Sequence, residues 1–272
     1  MADWTDNAGA QVIGEEQIRA WAREAGEVAR RHFGHTVASR KADNTLVTQA
    51  DRAVEALLTA RIRAAYPDHA LIAEEYAPHG NAGHGGVPAA KAEYLWAIDP
   101  IDGTRAFAQG LPGWGISIGL LYRGCPSRGL FYMPLLDDWT YTEGADGIVW
   151  NGQDLHGLLR QEWDDQSFLA ISSHAHHRYR IEIELTRALG SIGADMVYTA
   201  RGSALGALLD QAFIWDLAAG AAILMRAGAE FRYLSGQPID WAALAGGRRA
   251  IEPIVVAHPA LIERIRASIR PR

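Results

Sequence analysis

A single cysteine, Cys125, is all the thiol this sequence has, so no disulfide can close within the chain and a reducing compartment is the expected setting. Beside a strand-like run and with no evident partner base, that thiol reads as a packed core or edge residue. The sequence also lacks any apolar run long enough to cross a bilayer. Its opening residues, Met1-Ala2-Asp3-Trp4-Thr5-Asp6, are acidic rather than an apolar leader. The expectation is a cytoplasmic protein with no membrane attachment. Positive charge is not in excess either: 26 Lys and Arg face 32 Asp and Glu, for a net charge of −6. Nucleic acid is therefore not the expected partner. An acidic chain repels an anionic ligand at long range, so any phosphate chemistry here calls for bound cations. No internal repeat or low-complexity tract is present. With 49% apolar and 21% charged residues in 272, the composition is that of an ordinary globular chain of one domain or two.

Apolar residues Ile18, Trp21, Ala22, Ala25, Val28, Ala29 and Phe33 recur at helical spacing and predict a helix over 15–33, stopped at Gly34. Val54, Leu57, Leu58 and Ile62 predict a second over 49–65, ended by Pro67. Residues 78–90 are rich in Gly, Pro, His and Asn and read as a mobile loop. Strands are expected at 94–98, 115–122 and 129–133, then a turn-rich stretch to about 150. Beyond it the pattern predicts a strand at 168–172, a helix at 179–189, a short strand at 196–199 and a short helix at 203–209. A helix at 218–227, strands at 230–233 and 253–257 and a closing helix at 259–269 complete the reading. Strands cluster in the first half and alternate with helices in the second, which suggests a layered α/β sandwich of two subdomains, 1–150 and 151–272.

The segment Trp96-Ala97-Ile98-Asp99-Pro100-Ile101-Asp102-Gly103-Thr104 stands apart. A buried strand ends in two aspartates and runs at once into a Gly-Thr turn, placing anionic ligands for a hard cation beside amide donors for an anion. Three further acidic stations accompany it. In Lys41-Ala42-Asp43-Asn44-Thr45-Leu46-Val47-Thr48-Gln49-Ala50-Asp51, Thr48 can cap a helix with Asp51 at its third position; Asp51 can also open onto a cleft and hold a water. Glu74-Glu75 follows a strand-like run. Asp216 precedes an Ala-rich helix that it can N-cap. If these acids converge they repel one another unless cations neutralise them, and an all-oxygen donor set suits Mg²⁺ or Mn²⁺ rather than zinc. His174, His176 and His177, and His79 and His84 in the loop, have no acid or Cys at ligand spacing and read as structural.

Taken in order, the four stations resemble the inositol monophosphatase family of magnesium-dependent, lithium-sensitive phosphomonoesterases. Asp99-Pro100-Ile101-Asp102-Gly103-Thr104 is similar to its central signature and Trp215-Asp216-Leu217-Ala218-Ala219-Gly220 to its C-terminal one. The resemblance implies a layered α-β-α-β-α sandwich, a homodimer, two or three Mg²⁺ per site (with Mn²⁺ as a substitute) and a small phosphate monoester as substrate. It also implies roles. Glu74, Asp99 and the Ile101 carbonyl would hold the first metal; Asp99, Asp102 and Asp216 the second. Asp51 and Thr104, with Glu74, would activate the attacking water, and the amides of Gly103 and Thr104 would cradle phosphate beside Asp102. Ser191 and Asp210 would line the substrate side.

Two departures bear on the substrate. Inositol-specific members carry a Glu seven residues before the second signature's Asp; here that position is Leu209, with Asp210 next to it. Arg105-Ala106-Phe107 and Gly110-Leu111-Pro112-Gly113-Trp114-Gly115 resemble the histidinol-phosphate phosphatase branch, whereas Arg187-Ala188-Leu189-Gly190-Ser191 resembles the inositol branch. A nucleotide or sugar bisphosphatase of the same superfamily would need a basic pocket, for which Arg201, Arg248 and Arg249 are the candidates. An interaction protein that keeps the fold is the remaining alternative, and the presence of Asp99, Asp102 and Asp216 argues against it.

Overall fold

A computed structural model describes residues 14–35, 38–40, 46–75 and 89–272 of the chain. The acidic opening residues, residues 41–45 and the 78–88 part of the expected loop, with His79 and His84, lie outside the described residues. No described helix is long and apolar enough to cross a membrane. The first helix, α1 (Glu15–His32), carries Glu15 and Glu16 in its first turn and Arg30, Arg31 and His32 in its last, charges that match the helix dipole. It buries Ile18, Trp21, Ala22, Ala25 and Ala29 along one face, and the chain leaves it through Gly34 at φ +77°. A short antiparallel pair, β1 (Ser39–Arg40) and β2 (Leu46–Val47), leads to α2 (Gln49–Ala65), which buries Val54, Leu58 and Ile62 against α1 and the sheet beneath.

That sheet holds seven strands in the order of the chain: β3 (Ala70–Ala73), β4 (Tyr94–Asp102), β5 (Gly115–Tyr122), β6 (Cys125–Met133), β7 (Asp138–Glu143), β8 (Gly147–Trp150) and β9 (Gln153–Asp154). Only β3 and β4 run parallel, and the five-residue helix α3 (Thr104–Ala108) sits between β4 and β5. Cys125 opens β6, half-buried and with a free thiol. Two expectations change here. β4 continues past Ile98 to Asp102, and the stretch to 150 contains β7 and β8 rather than turns alone. The turns at 134–137 and 144–146 close hairpins whose strands pair Leu130 with Tyr141 and Tyr141 with Val149.

The second sheet comes from the remainder of the chain: β10 (Phe168–Ile171), then the single turn α4 (Ala175–Arg178), β11 (Tyr179–Ile181), β12 (Leu185–Arg187), α5 (Ile192–Ala200), β13 (Gly206–Leu209), α6 (Ile214–Arg226), β14 (Glu230–Tyr233), α7 (Trp241–Ala245), β15 (Ile254–Ala257), α8 (Pro259–Ala267) and β16 (Ile269–Pro271). Its strand order is β12-β10-β13-β15-β14, and β10 lies parallel to both β12 and β13. Three expectations fail. The predicted helix over 179–189 is two strands, because Tyr179, Ile181, Ile183 and Leu185 alternate with period two. β11 pairs with β16, and β12 with β10. The predicted strand over 196–199 lies inside α5, which is buried nearly all round between the two sheets and so shows no amphipathic stripe. The predicted helix over 203–209 is β13, a central strand covered on both faces, where packing overrides the helix preference of Ala and Leu.

The layers follow from these contacts. α1 and α2 cover one face of the seven-stranded sheet, while α5 and α6 fill the space between its other face and the five-stranded sheet, with α8 outermost. The result is the α-β-α-β-α sandwich expected from the resemblance.

Candidate metal centre

β4 approaches its end with the ladder regular to Asp99 opposite Ser117, then shifts register before Asp102 pairs with Gly115. A regular pleat would send Asp99 and Asp102, three residues apart, to opposite faces of the sheet, and the register shift between them breaks that alternation. The Ile101 amide donates to Asp99 Oδ1 at 3.0 Å, fixing the first of them. Gly103 follows at φ +97°, where a Cβ would meet the Gly190 carbonyl at 2.9 Å and the Gly113 carbonyl at 3.0 Å; both the conformation and the close backbone approach require glycine. Thr104 then begins α3.

Asp51 has two jobs, one for each oxygen. Its Oδ2 accepts from the Thr48 amide at 2.8 Å and the Thr48 hydroxyl at 2.5 Å, closing the capping box at the start of α2. Its Oδ1 accepts from the Thr104 hydroxyl at 3.0 Å, and that hydroxyl also lies 3.1 Å from the Ile101 carbonyl. The capping role open at the sequence level is realised, and the second oxygen is turned to Thr104. Asp51 is fully buried, and burial raises its proton affinity against the lowering effect of Thr48 and Thr104.

Asp102 faces the start of α5. It accepts from the Ser191 hydroxyl at 2.9 Å, from the Ile192 amide at 3.1 Å and from the Gly193 amide. Ser191 also caps its own helix by accepting from the Ala194 amide at 3.0 Å. Asp216 accepts from the Phe213 amide at 2.6 Å; α6 begins at Ile214, so Asp216 occupies the third helical position rather than the N-cap. Asp216 also lies close enough to Asp99 for the charge of one carboxylate to act on the other. Burial is the first cause that lifts Asp99 well above the usual carboxylate range, followed by the charges of Glu74, Asp102, Asp216 and Asp51. Burial and the charges of Asp102 and Glu74 lift Asp216 likewise. Asp102 is pushed up to about 6 by burial, with its three hydrogen bonds opposing the shift.

The charges of Glu74, Asp102, Asp216 and Asp51 all act on Asp99. Asp51, Glu74 and Glu75 each offer an oxygen, all within 4.8 Å of one another, and among the described residues no other group of His, Cys, Asp or Glu meets that condition. The donors are oxygen throughout and mutually repulsive, with Asp51, Asp99 and Asp102 buried and Glu74, Glu75 and Asp216 half-buried, so they fit hard divalent cations and not zinc. Glu75 is part of this group although the sequence assigned it no role; its position beside Glu74 was the available signal. Asp195, on the first turn of α5, was missed altogether. It is 2% exposed, and burial and the Asp102 charge raise its proton affinity. Nothing in its local sequence separates it from an ordinary helix-start acid.

Asp210 stands in other company. Its Oδ1 accepts from the Tyr179 hydroxyl at 3.2 Å, and its Oδ2 lies 3.2 Å from Arg178 Nη1. His174, His176 and His177 are exposed; the rings of His176 and His177 lie 3.9 Å apart at a tilt of 41°, and His174 stacks on His177 at 6.4 Å. Arg201, a candidate for a second phosphate, is instead buried: it pairs with Asp138, bonds Thr140 and lies over the rings of Trp150 and Tyr198. Arg248 and Arg249 are exposed in the loop after α7.

A family model described as the inositol monophosphatase family matches residues 14–270. Among curated relatives, a probable inositol 1-monophosphatase of Mycobacterium tuberculosis is 34% identical over 236 residues, covering 79% of this chain and 83% of its own. A putative Nus factor SuhB of Neisseria meningitidis is 30% identical over 251 residues, covering 87% and 92%. Among solved structures, the inositol monophosphatase of Thermotoga maritima superposes with a TM-score of 0.76 at 23% identity, over 93% of this chain and 95% of that one. The SuhB protein of Bartonella henselae does so with a TM-score of 0.77 at 23% identity, over 93% and 96%.

Proposed function

Because the chain belongs to the inositol monophosphatase family, we propose that it is a Mg²⁺-dependent phosphomonoesterase that hydrolyses a small phosphorylated alcohol. One observation carries the reading: Asp51, which accepts from Thr104, shares with Glu74 and Glu75 an all-oxygen cluster within 4.8 Å whose charges repel unless a cation neutralises them. Glu74, Asp99, Asp216, Asp102 and the Ile101 carbonyl are the ligands proposed for two or three Mg²⁺, with Mn²⁺ a workable substitute. Such cations, when bound, neutralise the acids and the phosphate, lower the pKa of water and stabilise the departing oxygen.

The chain's own residues then divide the work. Asp51 polarises the Thr104 hydroxyl, and the pair orients the attacking water and takes its proton as the new P–O bond forms. Burial, which raises the proton affinity of Asp51, makes it a better base for that task. The ester P–O bond breaks opposite, and the alcohol leaves with a proton from solvent. Gly103, whose glycine backbone admits close approach, and Thr104 present their amides to the phosphate. Ser191 and the first amides of α5 hold Asp102 in place. Catalysis rests on position and charge, with no covalent intermediate on the protein.

Asp99→Asn keeps the shape of the side chain and removes its charge. Mg²⁺-dependent phosphate release should fall by about 10²–10³-fold or more, by analogy with removal of one electrostatic contact at a reacting centre, while circular dichroism stays that of the parent. Undiminished release would overturn the assignment. A panel of inositol 1-phosphate and histidinol phosphate separates the inositol-type substrate from its alternative. The Nus factor name of the Neisseria relative favours a second reading, a partner-binding role that needs no turnover and would survive Asp99→Asn.

A further inference from the structure

In the five-stranded sheet, β12, β10 and β13 run parallel and side by side, so the loops that follow them leave from one edge. The carboxyl edge of parallel strands is where α/β sheets hold ligands. The two outer loops already reach the acidic centre. The loop after β12 ends in Ser191, which donates to Asp102, and the loop after β13 leads to Asp216, whose charge acts on Asp99. The middle loop, after β10, therefore emerges between two segments that build the site. Together with the β13 loop it lines a cavity of about 400 Å³, bounded by Ser172, His174, His177, Arg178, Asp210 and Gln211.

The polar groups around this cavity are mostly donors. Asp210 is its one carboxylate, and both of its oxygens are engaged, by Tyr179 and by Arg178; its side chain is only 8% exposed. The Gln211 amide, in the orientation that satisfies its neighbours, turns its oxygen to the Arg178 guanidinium. Arg178 remains 46% exposed, so its guanidinium still fronts the opening. The hydroxyl of Ser172 and the two imidazoles add further N–H and O–H groups. A wall rich in donors, with its carboxylate spent, matches a ligand group rich in acceptors, and a charged one most of all.

We propose that this cavity is a subsite for a second acidic group, so that the substrate is a phosphate monoester whose alcohol portion carries a carboxylate or a further phosphate. The inference rests on the phosphatase reading and narrows it. It also relocates the basic pocket that a bisphosphate would need, from Arg201 to Arg178 with His174 and His177.

Matched esters test it. Initial rates with Mg²⁺ are compared for 3-phosphoglycerate against glycerol 3-phosphate, and for fructose 1,6-bisphosphate against fructose 6-phosphate. The acidic member of at least one pair should lead in kcat/KM by about tenfold, the effect of one charge-assisted contact of roughly 1.4 kcal/mol; the pair that shows it tells carboxylate from phosphate. In His177→Ala and in Arg178→Met that ratio should fall toward one, chiefly through KM of the acidic ester. Equal rates within both pairs, or an unchanged ratio in both variants, would overturn the proposal. A second readout is independent of turnover: in the Mg²⁺-loaded protein, glycerate should shift the ring resonances of His174 and His177 and glycerol should not. Failure of every ester to react sinks the phosphatase reading, and absence of the glycerate shift sinks the subsite alone.

Discussion

Asp51 shows how one residue serves fold and chemistry together: the oxygen that closes the capping box of α2 fixes the direction of the other, which meets Thr104. His69 is the opposite case, a buried polar residue that is purely structural. Its ring stacks between Tyr66 and Tyr94, with centroids at 5.0 and 4.5 Å, and its Nδ1 accepts from the Trp96 indole at 3.1 Å. That bond requires the neutral ring, and burial lowers the pKa below 6.5. The unfolded chain therefore binds a proton at His69 where the folded chain does not, so stability is lost as the pH falls below about 6.5. His69→Gln keeps an acceptor for Trp96 without the proton. Urea midpoints from pH 7.5 to 5.5 should fall less steeply in this variant than in the parent; parallel curves would refute the account.

At the level of elements, the helices bring their N-termini to the acids. α2, α5 and α6 each present backbone amides to Asp51, Asp102 and Asp216, and the positive ends of their dipoles offset part of the carboxylate repulsion. The position of α6 depends on two glycines in the sheet. A Cβ on Gly129 would lie 2.7 Å from the Ala219 Cα and closer still to its carbonyl oxygen, and one on Gly119 would lie 2.7 Å from the Ala219 amide nitrogen. Gly129→Ala must push α6 off β5 and β6. Overpacking of this kind costs about 1–3 kcal/mol, and it displaces Asp216 as well. The melting temperature and phosphate release should drop together, whereas Gly124→Ala, in an open turn at φ +82°, should lower stability alone.

Across the whole molecule, the proposed centre draws on acids from both halves of the chain: Asp51, Glu74, Asp99 and Asp102 from one, Asp216 from the other. Binding of cations to the folded state alone must then stabilise the assembly of the two sheets. At a concentration of Mg²⁺ one hundredfold above its Kd the gain is about 2.7 kcal/mol, or roughly 5–10 °C in melting temperature for a chain of this length. Chelation should reverse the shift, and Asp99→Asn should abolish it. A melting temperature indifferent to Mg²⁺ in the parent protein would argue against a shared cation site.

The acids, the turn and much of the first half are legible before any folding is considered. Helix α2 and strand β5 fall where the periodicity placed them, since an amphipathic stripe and a bounded apolar run are local signals. The family resemblance was legible for a similar reason: Asp99 to Thr104 must be contiguous to form a bulge, a left-handed turn and a helix start. Only the tertiary structure decided the segments buried on every side. α5 and β13 carry no stripe because both of their faces are covered, and neither composition nor period could tell one from the other. It also decided which acids belong together. Glu75 joins the cluster and Asp210 is spent on Arg178 and Tyr179, because partners 31 and 32 residues away in sequence are chosen by packing and not by spacing.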